Sequence, residues 1–276
     1  MRGRVLIVAG SDSGGGAGIQ ADIKTVSMLD CYAATAITAL TAQNTEGVFG
    51  VLPIPPEFVR RQIEVVLDDI GADAIKTGML HDAAVIETIA AVLQERAAAI
   101  PLVVDPVMVA KGGARLIDPA AVEALKRLLI ARAEIVTPNL PEAAILCGAA
   151  IGNLAQMRAA GETLLALGCR AVLVKGGHLS GGTASDVLVT AGGARVWESP
   201  RIATRHTHGT GCTLASAIAA GLAQGQDVES AVDRARTYVQ RAIAGAPGLG
   251  RGHGPLDHAH PLRPDQPSGY AAGDSR

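Results

Sequence analysis

Val5-Leu-Ile-Val-Ala9 runs directly into Gly10-Ser-Asp-Ser-Gly-Gly-Gly-Ala-Gly18, and this junction indicates the fold class. Apolar residues at consecutive positions are typical of a strand that is covered on both faces, as in a parallel sheet. Similar short apolar runs recur with helical periodicity between them, at residues 35–40, 73–76, 102–105, 134–137 and 171–175. Strand, helix and strand in repetition predict an α/β fold, with a mainly parallel, doubly wound sheet and helices on both faces.

The pattern changes after residue 186. Val187-Leu-Val-Thr190 and Ala194-Val-Trp-Glu198 flank the pair Gly192-Gly193, which predicts an antiparallel hairpin at one edge of the sheet. Two helices are then expected, over residues 211–224 and 227–244, with Asp227 as the N-cap of the second.

The last part of the chain has a different composition. Residues 245–276 are dense in Gly, Pro, His and polar side chains and lack periodicity, so they offer little apolar surface to offset the entropy of ordering. We therefore expect one domain over residues 1–248 and a mobile C-terminal tail over residues 249–276.

Composition excludes several classes of function. The 276 residues are 49% hydrophobic and 18% charged with a net charge of -2, which is typical of a soluble globular protein and gives no basic surface for nucleic acid. Aromatic residues make up 2% of the chain, too few for base-stacking platforms. No run approaches the roughly 20 apolar residues that span a bilayer. We expect no nucleic-acid and no membrane partner.

The four cysteines are Cys31, Cys147, Cys169 and Cys212, which lie far apart without a C-x-x-C pair. This spacing argues against a disulfide or zinc framework and fits a reducing compartment. We expect a cytoplasmic protein.

Three glycine-rich loops adjoin predicted element ends: residues 10–18, 175–182 and 208–212. Backbone N–H groups of such loops at a helix N-terminus bind anions, although each loop could also be a tight turn. The first contains Gly16-Ala-Gly-Ile-Gln-Ala21, a formal match to the dinucleotide fingerprint, but no acidic residue ends the next predicted strand. An NAD-dependent oxidoreductase is therefore disfavoured and remains the alternative from another class.

The third loop, His208-Gly-Thr-Gly-Cys212, is the most informative because it opens an apolar helix. The backbone amides of residues 209 to 212 would converge on one anion. Cys212 would lie in the first helical turn, where the helix dipole lowers the pKa of a thiol and favours a nucleophilic or basic thiolate. The alternative is a small buried cysteine that packs the helix.

Four motifs in register carry a family resemblance: Ala9-Gly-Ser-Asp-Ser-Gly14, Val104-Asp-Pro-Val-Met108 with Lys111-Gly-Gly113, Thr137-Pro-Asn-Leu-Pro-Glu142, and His206-Thr-His-Gly-Thr-Gly-Cys212. From about residue 4 to residue 245 the chain resembles the hydroxymethylpyrimidine and phosphomethylpyrimidine kinases of thiamine biosynthesis, in the ribokinase superfamily. The resemblance implies a three-layer ribokinase-like fold and a homodimer. It also implies transfer of the γ-phosphoryl group of ATP, with Mg²⁺, to 4-amino-5-hydroxymethyl-2-methylpyrimidine and then to its monophosphate.

The resemblance also implies a role for individual residues. Cys212 would be catalytic, with an anion hole at Gly209, Thr210 and Gly211, although the wider superfamily has Asp at position 212. The other implied groups are a Mg²⁺ site at Asp105 and Glu142, nucleotide contacts at Lys175, Asn139 and Thr207, and a pyrimidine pocket at Gln43, Asp22, Met79, Val107, Gly10 and Ala17.

For several of these residues a structural role is the alternative. Glu142 could be a helix N-terminal carboxylate, Met79 a core residue and Lys175 a surface lysine. His206 and His208 are candidate bases, and a turn-stabilising or nucleotide-facing role is equally consistent. The rival function on the same fold is a pyridoxal-type kinase, since pyridoxal is also a small ring with a hydroxymethyl group. A non-catalytic nucleotide sensor is a third possibility.

Overall fold

The fold was obtained as a computed structural model that describes residues 1–108, 119–177, 179 and 181–263. Its strands are β1 (Arg4–Ala9), β2 (Tyr32–Ile37), β3 (Ala39–Gln43), β4 (Val48–Pro53), β5 (Ala74–Thr77), β6 (Leu102–Val104), β7 (Ile135–Val136), β8 (Ala171–Lys175), β9 (Thr183–Thr190) and β10 (Gly193–Pro200). Its helices are α1 (Gly18–Met28), α2 (Pro56–Asp69), α3 (Ala83–Arg96), α4 (Pro119–Ala124), α5 (Leu140–Cys147), α6 (Leu154–Leu165), α7 (Thr210–Ala223) and α8 (Val228–Ala244). Short π and 3₁₀ turns follow α4, and a 3₁₀ turn covers His260–Leu262.

Eight strands form the central sheet, in the order β10-β9-β8-β7-β6-β5-β1-β2. The pairs from β2 to β8 are parallel, and β9 and β10 pair antiparallel at one edge. The predicted α/β class, the parallel sheet and the edge hairpin are therefore confirmed. Asp227 also caps α8 as predicted, because its side chain accepts a hydrogen bond from the Ser230 amide.

Two apolar cores cover the two faces of this sheet, so the molecule has three layers. Leu6 and Val8 of β1 belong to the core that packs under α2 to α6, whereas Val5 and Ile7 belong to the core under α1, α7 and α8. Alternate residues of one strand thus enter opposite cores, which explains the uninterrupted apolar run in the sequence.

The chain leaves the sheet at Thr38, which corrects the prediction of one strand over residues 35–40. The Thr38 amide donates to the carbonyl of Ala9, and its hydroxyl donates to the carbonyl of Met79. Beyond this point β3 and β4 form a separate antiparallel ribbon. Alternation alone could not locate this break, because the residues on both sides of it suit strands.

Residues 248–263, here called the closing segment, pack against the domain. Leu256 and His258 are buried, and the His253 amide donates to the carbonyl of Thr45 at 2.8 Å. The Tyr238 hydroxyl donates to the carbonyl of His258 at 2.7 Å. The expectation of a mobile tail is therefore wrong for residues 249–263, because hydrogen bonds and two buried side chains fix a segment without periodicity. Its remainder, residues 264–276, lies outside the described residues.

Candidate active site

A cavity of about 900 Å³ opens at the carboxyl ends of the parallel strands. Ala9, Lys76, Asp105 and Lys175 line it and lie at or next to the ends of β1, β5, β6 and β8. Ligand sites of open α/β sheets form at this edge, because the loops that follow the strands converge there.

The N-terminus of α7 forms one wall of the cavity. Gly209 has a φ of 82°, and a Cβ there would overlap the carbonyl oxygen of Gly16, so the turn requires glycine. A Cβ at Gly211 would lie 3.1 Å from the Lys175 ammonium, so this glycine leaves room between the helix end and the lysine. The Thr210 hydroxyl donates to the carbonyl of Thr207 at 2.7 Å and fixes the turn. Residues 209–212 all line the cavity. The first amides of a helix lack intrahelical acceptors, although the Thr210 amide already donates to the carbonyl of Thr207 at 3.4 Å.

Opposite these amides lie two carboxylates and a lysine. Oδ1 of Asp105 accepts hydrogen bonds at 3.1 Å from both Lys175 Nζ and the Thr137 hydroxyl. Glu142 forms a capping box with Asn139, in which each side chain accepts from the other residue's backbone amide. The helix-terminal role considered for Glu142 is thus present, and the same side chain also lines the cavity.

Burial and charge determine the protonation of these groups. Burial raises the pKa of Glu142 to about 7, with Asp105 adding to the rise and Lys175 opposing it. Burial alone would lower the pKa of Lys175, but Asp105 and Glu142 outweigh it, so the net shift is upward and the ammonium persists. When both are ionised, two carboxylates beside one lysine leave an excess of negative charge, which a divalent cation would stabilise.

Part of the cavity lining consists of small and apolar groups and one side-chain amide. Gly10, Ala17, Gln43, Met79 and Val107 all line it, as the resemblance implied. A Cβ at Gly10 would lie 2.5 Å from the terminal methyl of Met79, so the glycine admits the methionine to the pocket wall.

A further set of mainly apolar side chains, which sequence reasoning missed, also lines the cavity. Ile202, Val239 and Ile243 line it, together with Gln240. Val239 and Ile243 lie four residues apart on α8 and so share one face of that helix. Asn139 and Thr207, predicted as nucleotide contacts, line the same cavity.

Comparison with known proteins identifies the family. A family model described as phosphomethylpyrimidine kinase matches residues 12–257. The chain belongs to the phosphomethylpyrimidine kinase family. A hydroxymethylpyrimidine/phosphomethylpyrimidine kinase of Streptomyces coelicolor is 49% identical over 259 residues, which are 94% of this chain and 95% of that relative. The thiamine biosynthesis bifunctional protein ThiED of Geobacter sulfurreducens is 54% identical over 257 residues. This match covers 93% of the chain but 52% of the relative, so the chain spans about half of that protein's length.

Solved structures agree with this assignment. The phosphomethylpyrimidine kinase of Clostridium difficile 630 has a TM-score of 0.78 at 43% identity, covering 87% of this chain and 99% of its own. An ADP complex of Bacillus subtilis pyridoxal kinase has a TM-score of 0.88 at 37% identity, covering 96% and 100%. The predicted ribokinase-like fold is thereby confirmed, and the chain is a phosphotransferase of this kinase family.

Two predicted features of this kinase differ from expectation. Asp22 is fully buried and does not line the cavity. Its carboxylate instead binds Lys76 Nζ at 2.9 and 3.0 Å and accepts from the Ser216 hydroxyl at 2.7 Å, so Lys76 separates it from the pocket. The second is Cys212, because burial raises the pKa of its thiol to about 12 despite the opposing charge of Lys76. The helix dipole does not overcome this burial, so the predicted lowering of the Cys212 pKa is wrong.

The two candidate histidines of the kinase differ in position. His208 is buried, lines the cavity and lies 2.8 Å from Asp12, a contact that sequence reasoning missed. His206 does not line the cavity; a Cβ at Gly254 of the closing segment would overlap its ring. The motif residues Lys111, Gly112 and Gly113 lie outside the described residues.

The dinucleotide reading of the first loop is wrong. The backbone amides of Gly14, Gly16 and Ala17, which would have to bind a pyrophosphate, donate to the Asp12 carboxylate at 2.8 to 3.1 Å. A side chain of the kinase therefore already fills this anion-binding turn.

Two features are absent from the described residues. No cluster of three or more His, Cys, Asp or Glu side chains could hold a metal there. Within the same ranges, no helix is long and apolar enough to cross a membrane.

Proposed function

We propose that the chain is an ATP- and Mg²⁺-dependent kinase that phosphorylates 4-amino-5-hydroxymethyl-2-methylpyrimidine and then its monophosphate, in thiamine biosynthesis. One observation carries the proposal: the Gln43 side chain and the N-terminus of α7 line the same cavity. The Gln43 side-chain amide lies 3.2 Å from the ring of His208, the residue next to Gly209. A small ring paired with Gln43 would therefore have its substituent near the amides of α7.

The residues that line the cavity suggest how the two substrates would share it. Gly10, Ala17, Met79 and Val107 would pack against the faces and methyl group of the pyrimidine. Ile202, Val239 and Ile243 offer apolar side chains against which the adenine of ATP would lie. The phosphates would then cross the middle, between Lys175 and the N-terminus of α7, with Asn139 and Thr207 beside them.

Catalysis would rest mainly on electrostatic stabilisation, which usually contributes most to the acceleration of phosphoryl transfer. The hydroxymethyl oxygen attacks the γ-phosphorus, the bond to the ADP oxygen breaks, and the hydroxyl proton goes to Cys212 Sγ in the small fraction of chains that hold it as a thiolate. The amides of residues 209 to 212 and the Lys175 ammonium stabilise the charge on the transferred group. In the second transfer the nucleophile is an ionised phosphate oxygen, so no base is needed.

The Asp105 and Glu142 carboxylates fit a Mg²⁺ site. Two buried carboxylates beside an anion site are too few to enclose the ion, which suits Mg²⁺ because it keeps water and substrate phosphates as ligands. When bound there, Mg²⁺ supplies positive charge to the phosphates. Asp105 and Glu142 would hold it largely through water.

The test is a product assay with the purified full-length chain, ATP and Mg²⁺. Mass spectrometry should detect the pyrimidine monophosphate and then the diphosphate. ATP consumption without phosphorylated pyrimidine would refute the proposal. No ATP turnover with the pyrimidine or with pyridoxal would instead favour the nucleotide sensor.

The second candidate is a pyridoxal kinase, favoured by the TM-score of 0.88 to the Bacillus subtilis enzyme. The ratio of kcat/KM for the pyrimidine and for pyridoxal separates the two, since specificity is a ratio of these constants. We expect the pyrimidine to be preferred and the diphosphate to form from it alone.

We further propose that the kinase is a cytoplasmic homodimer, with residues 1–263 as one domain. The β3–β4 ribbon supports a dimer because its large side chains Leu40, Phe49 and Leu52 are exposed. Light scattering should give twice the chain mass, and Leu52→Lys should shift it towards the monomer. An unchanged dimer in that variant would place the interface elsewhere. The free cysteines fit a reducing compartment.

A further inference from the structure

Asp12 is surrounded by hydrogen-bond donors. Its Oδ1 accepts from the Gly14 amide, and its Oδ2 accepts from the amides of Gly16 and Ala17. Burial alone would raise the pKa of this carboxyl, but the hydrogen bonds from His208 and these amides bring it below the usual value. Asp12 is therefore an ionised acceptor, and a ring nitrogen 2.8 Å from its Oδ2 must carry a proton. That nitrogen is Nε2 of His208.

The same nitrogen faces Gln43. One end of the Gln43 side-chain amide lies 3.2 Å from His208 Nε2. The single proton of Nε2 is directed to Asp12, so Nε2 has no lone pair with which to accept from Gln43. The amide end that faces it is therefore the carbonyl oxygen, which can share that proton, whereas an NH₂ group would be repelled. The oxygen and nitrogen ends of a side-chain amide are nearly isosteric, so their hydrogen-bond partners decide which is which. The oxygen is assigned to the end nearest His208, because an NH₂ group there would face the Nε2–H group.

Thr41 independently requires the same orientation. Its hydroxyl donates its single proton to the carbonyl of Ser11 at 2.8 Å. The other end of the Gln43 amide lies 3.4 Å from this hydroxyl oxygen, which is left to accept. That end is therefore the NH₂ group. Two neighbours on different elements thus agree on one amide orientation.

The Gln43 backbone is fixed as well. The Ser13 hydroxyl donates to the Gln43 carbonyl at 2.7 Å and accepts from the Gln43 amide at 2.8 Å. A different pattern of donor and acceptor at the cavity would then require rotation of the Gln43 side chain itself.

We propose that Asp12 and His208 are positioning residues that lock the Gln43 amide in one orientation, and that this lock selects a 4-amino pyrimidine over its 4-oxo counterpart. The proposal rests on the proposed function above. A 4-amino ring presents a donor beside an acceptor nitrogen, whereas a 4-oxo ring presents an acceptor beside an N–H donor. A freely rotating Gln pairs with either edge, but a locked one pairs with one of them.

The ring cannot turn over to compensate, because its hydroxymethyl group must face Gly209–Cys212 for transfer. The wrong ring therefore leaves two buried groups unpaired, and each unmade hydrogen bond weakens its binding. We expect kcat/KM of the native chain to favour the 4-amino compound by about 10²-fold or more.

The experiment compares this ratio in His208→Phe, which keeps a planar ring between Gly16 and Pro255 but lacks the N–H group. We expect the amino-to-oxo ratio to fall at least tenfold, since the freed amide can rotate towards the oxo compound. His208→Gln, which returns an N–H donor, should restore part of the ratio. His206→Phe is the matched control in the same loop, and its ratio should not change.

Equal losses on both compounds in His208→Phe, with the ratio intact, would show a merely structural role and overturn the proposal. A second readout does not depend on turnover. In the native chain with ¹⁵N-histidine, the His208 resonances, assigned by their loss in His208→Phe, should show a protonated Nε2. An unprotonated Nε2 would overturn the proposal. If neither compound is phosphorylated, the proposed function fails, while the nitrogen spectrum still decides the orientation of Gln43.

Discussion

Two physical effects act in opposite directions on the Cys212 thiol. The positive end of α7 favours a thiolate, and burial among protein atoms disfavours it. Burial dominates, since the pKa is raised to about 12. Lys76 is the cation whose charge opposes this rise. At neutral pH the thiol of the substrate-free chain is therefore protonated, and any basic role uses a small thiolate fraction.

This protonation state leads to a prediction for Cys212→Ala. The first transfer should slow by about 10²-fold, at the low end of what a general base contributes, and the second should change little because its nucleophile is already anionic. In the native chain the first transfer should accelerate as the pH rises from 7 to 9, since the thiolate fraction grows as the pH approaches 12. That pH dependence should be lost in the variant. Single-turnover rates on the pyrimidine and on its monophosphate measure both effects, and equal losses in the two steps would exclude a base.

At the scale of single residues, the site residues that belong to sequence motifs could be predicted. Those whose role depends on a contact with a distant residue could not. Asp105, Glu142 and Lys175 line the cavity as expected, because each follows a strand end or opens a helix. The contact of Asp12 with His208 joins residues 196 positions apart, and nothing in a single sequence signals it. Asp22 was assigned to the pocket by family resemblance, yet its ion pair holds it behind Lys76, outside the cavity lining.

At the scale of elements, strands buried on both faces were predictable and the exposed ribbon was not. Residues 171–175 form β8 as predicted, because an unbroken apolar run has few other places in an α/β fold. β4 was missed, since most of its residues are exposed and it contains glycine and proline. The closing segment escaped prediction for a related reason: backbone hydrogen bonds and close glycine contacts, not a periodic apolar face, fix it.

Deletion of residues 253–276 should therefore damage the kinase. The deletion removes the carbonyl of Gly254, which accepts from the His208 amide, and the buried Leu256. We expect a loss of about 2–5 kcal/mol in the free energy of unfolding, as for the removal of a buried leucine, and a higher KM for the pyrimidine. Deletion of residues 264–276 is the control, since it leaves every described residue in place. Equal melting temperatures and KM values for the two deletions would contradict the role assigned to the segment.

The closing segment should also make stability depend on pH through His258. Burial lowers the pKa of this imidazole to about 4 from 6.5, with Lys24 and His260 adding to the fall and Asp257 opposing it. A lowered folded-state pKa gives stability that is complete above pH 6.5 and is lost as the pH falls towards 4. Over this pH window the free energy of unfolding of the native chain should therefore fall by up to about 3 kcal/mol more than that of His258→Gln. The glutamine of this variant can still form a hydrogen bond with Thr213. Parallel pH profiles would refute this role.

At the scale of the whole molecule, one buried ion pair joins the sheet to the helical layer beside the active site. Lys76 of β5, Asp22 of α1 and Ser216 of α7 meet with no exposed surface. Burial alone would lower the pKa of Lys76, but Asp22, Cys212 and Asp105 together raise it, so the ammonium is retained. The ion pair therefore fixes β5, α1 and α7 relative to one another, and it keeps the positive charge of Lys76 beside the cavity.

The last prediction separates the stability that this pair contributes from its effect on catalysis. Lys76→Met should lower the free energy of unfolding by about 3–5 kcal/mol, because it leaves the buried Asp22 carboxylate without its cation. The double variant Lys76→Met with Asp22→Leu should recover most of that loss. The double variant should still be a poor kinase, since it loses the cation that opposes the rise in the Cys212 pKa, and the loss of Asp22, which contributes less to that rise, does not compensate. Denaturant titration gives the stabilities, and the rate of thiol alkylation against pH follows Cys212. A double variant that regains both stability and native turnover would show that Lys76 serves the fold alone. If neither is regained, the three elements depend on the ion pair itself for their register, and an apolar core cannot replace it.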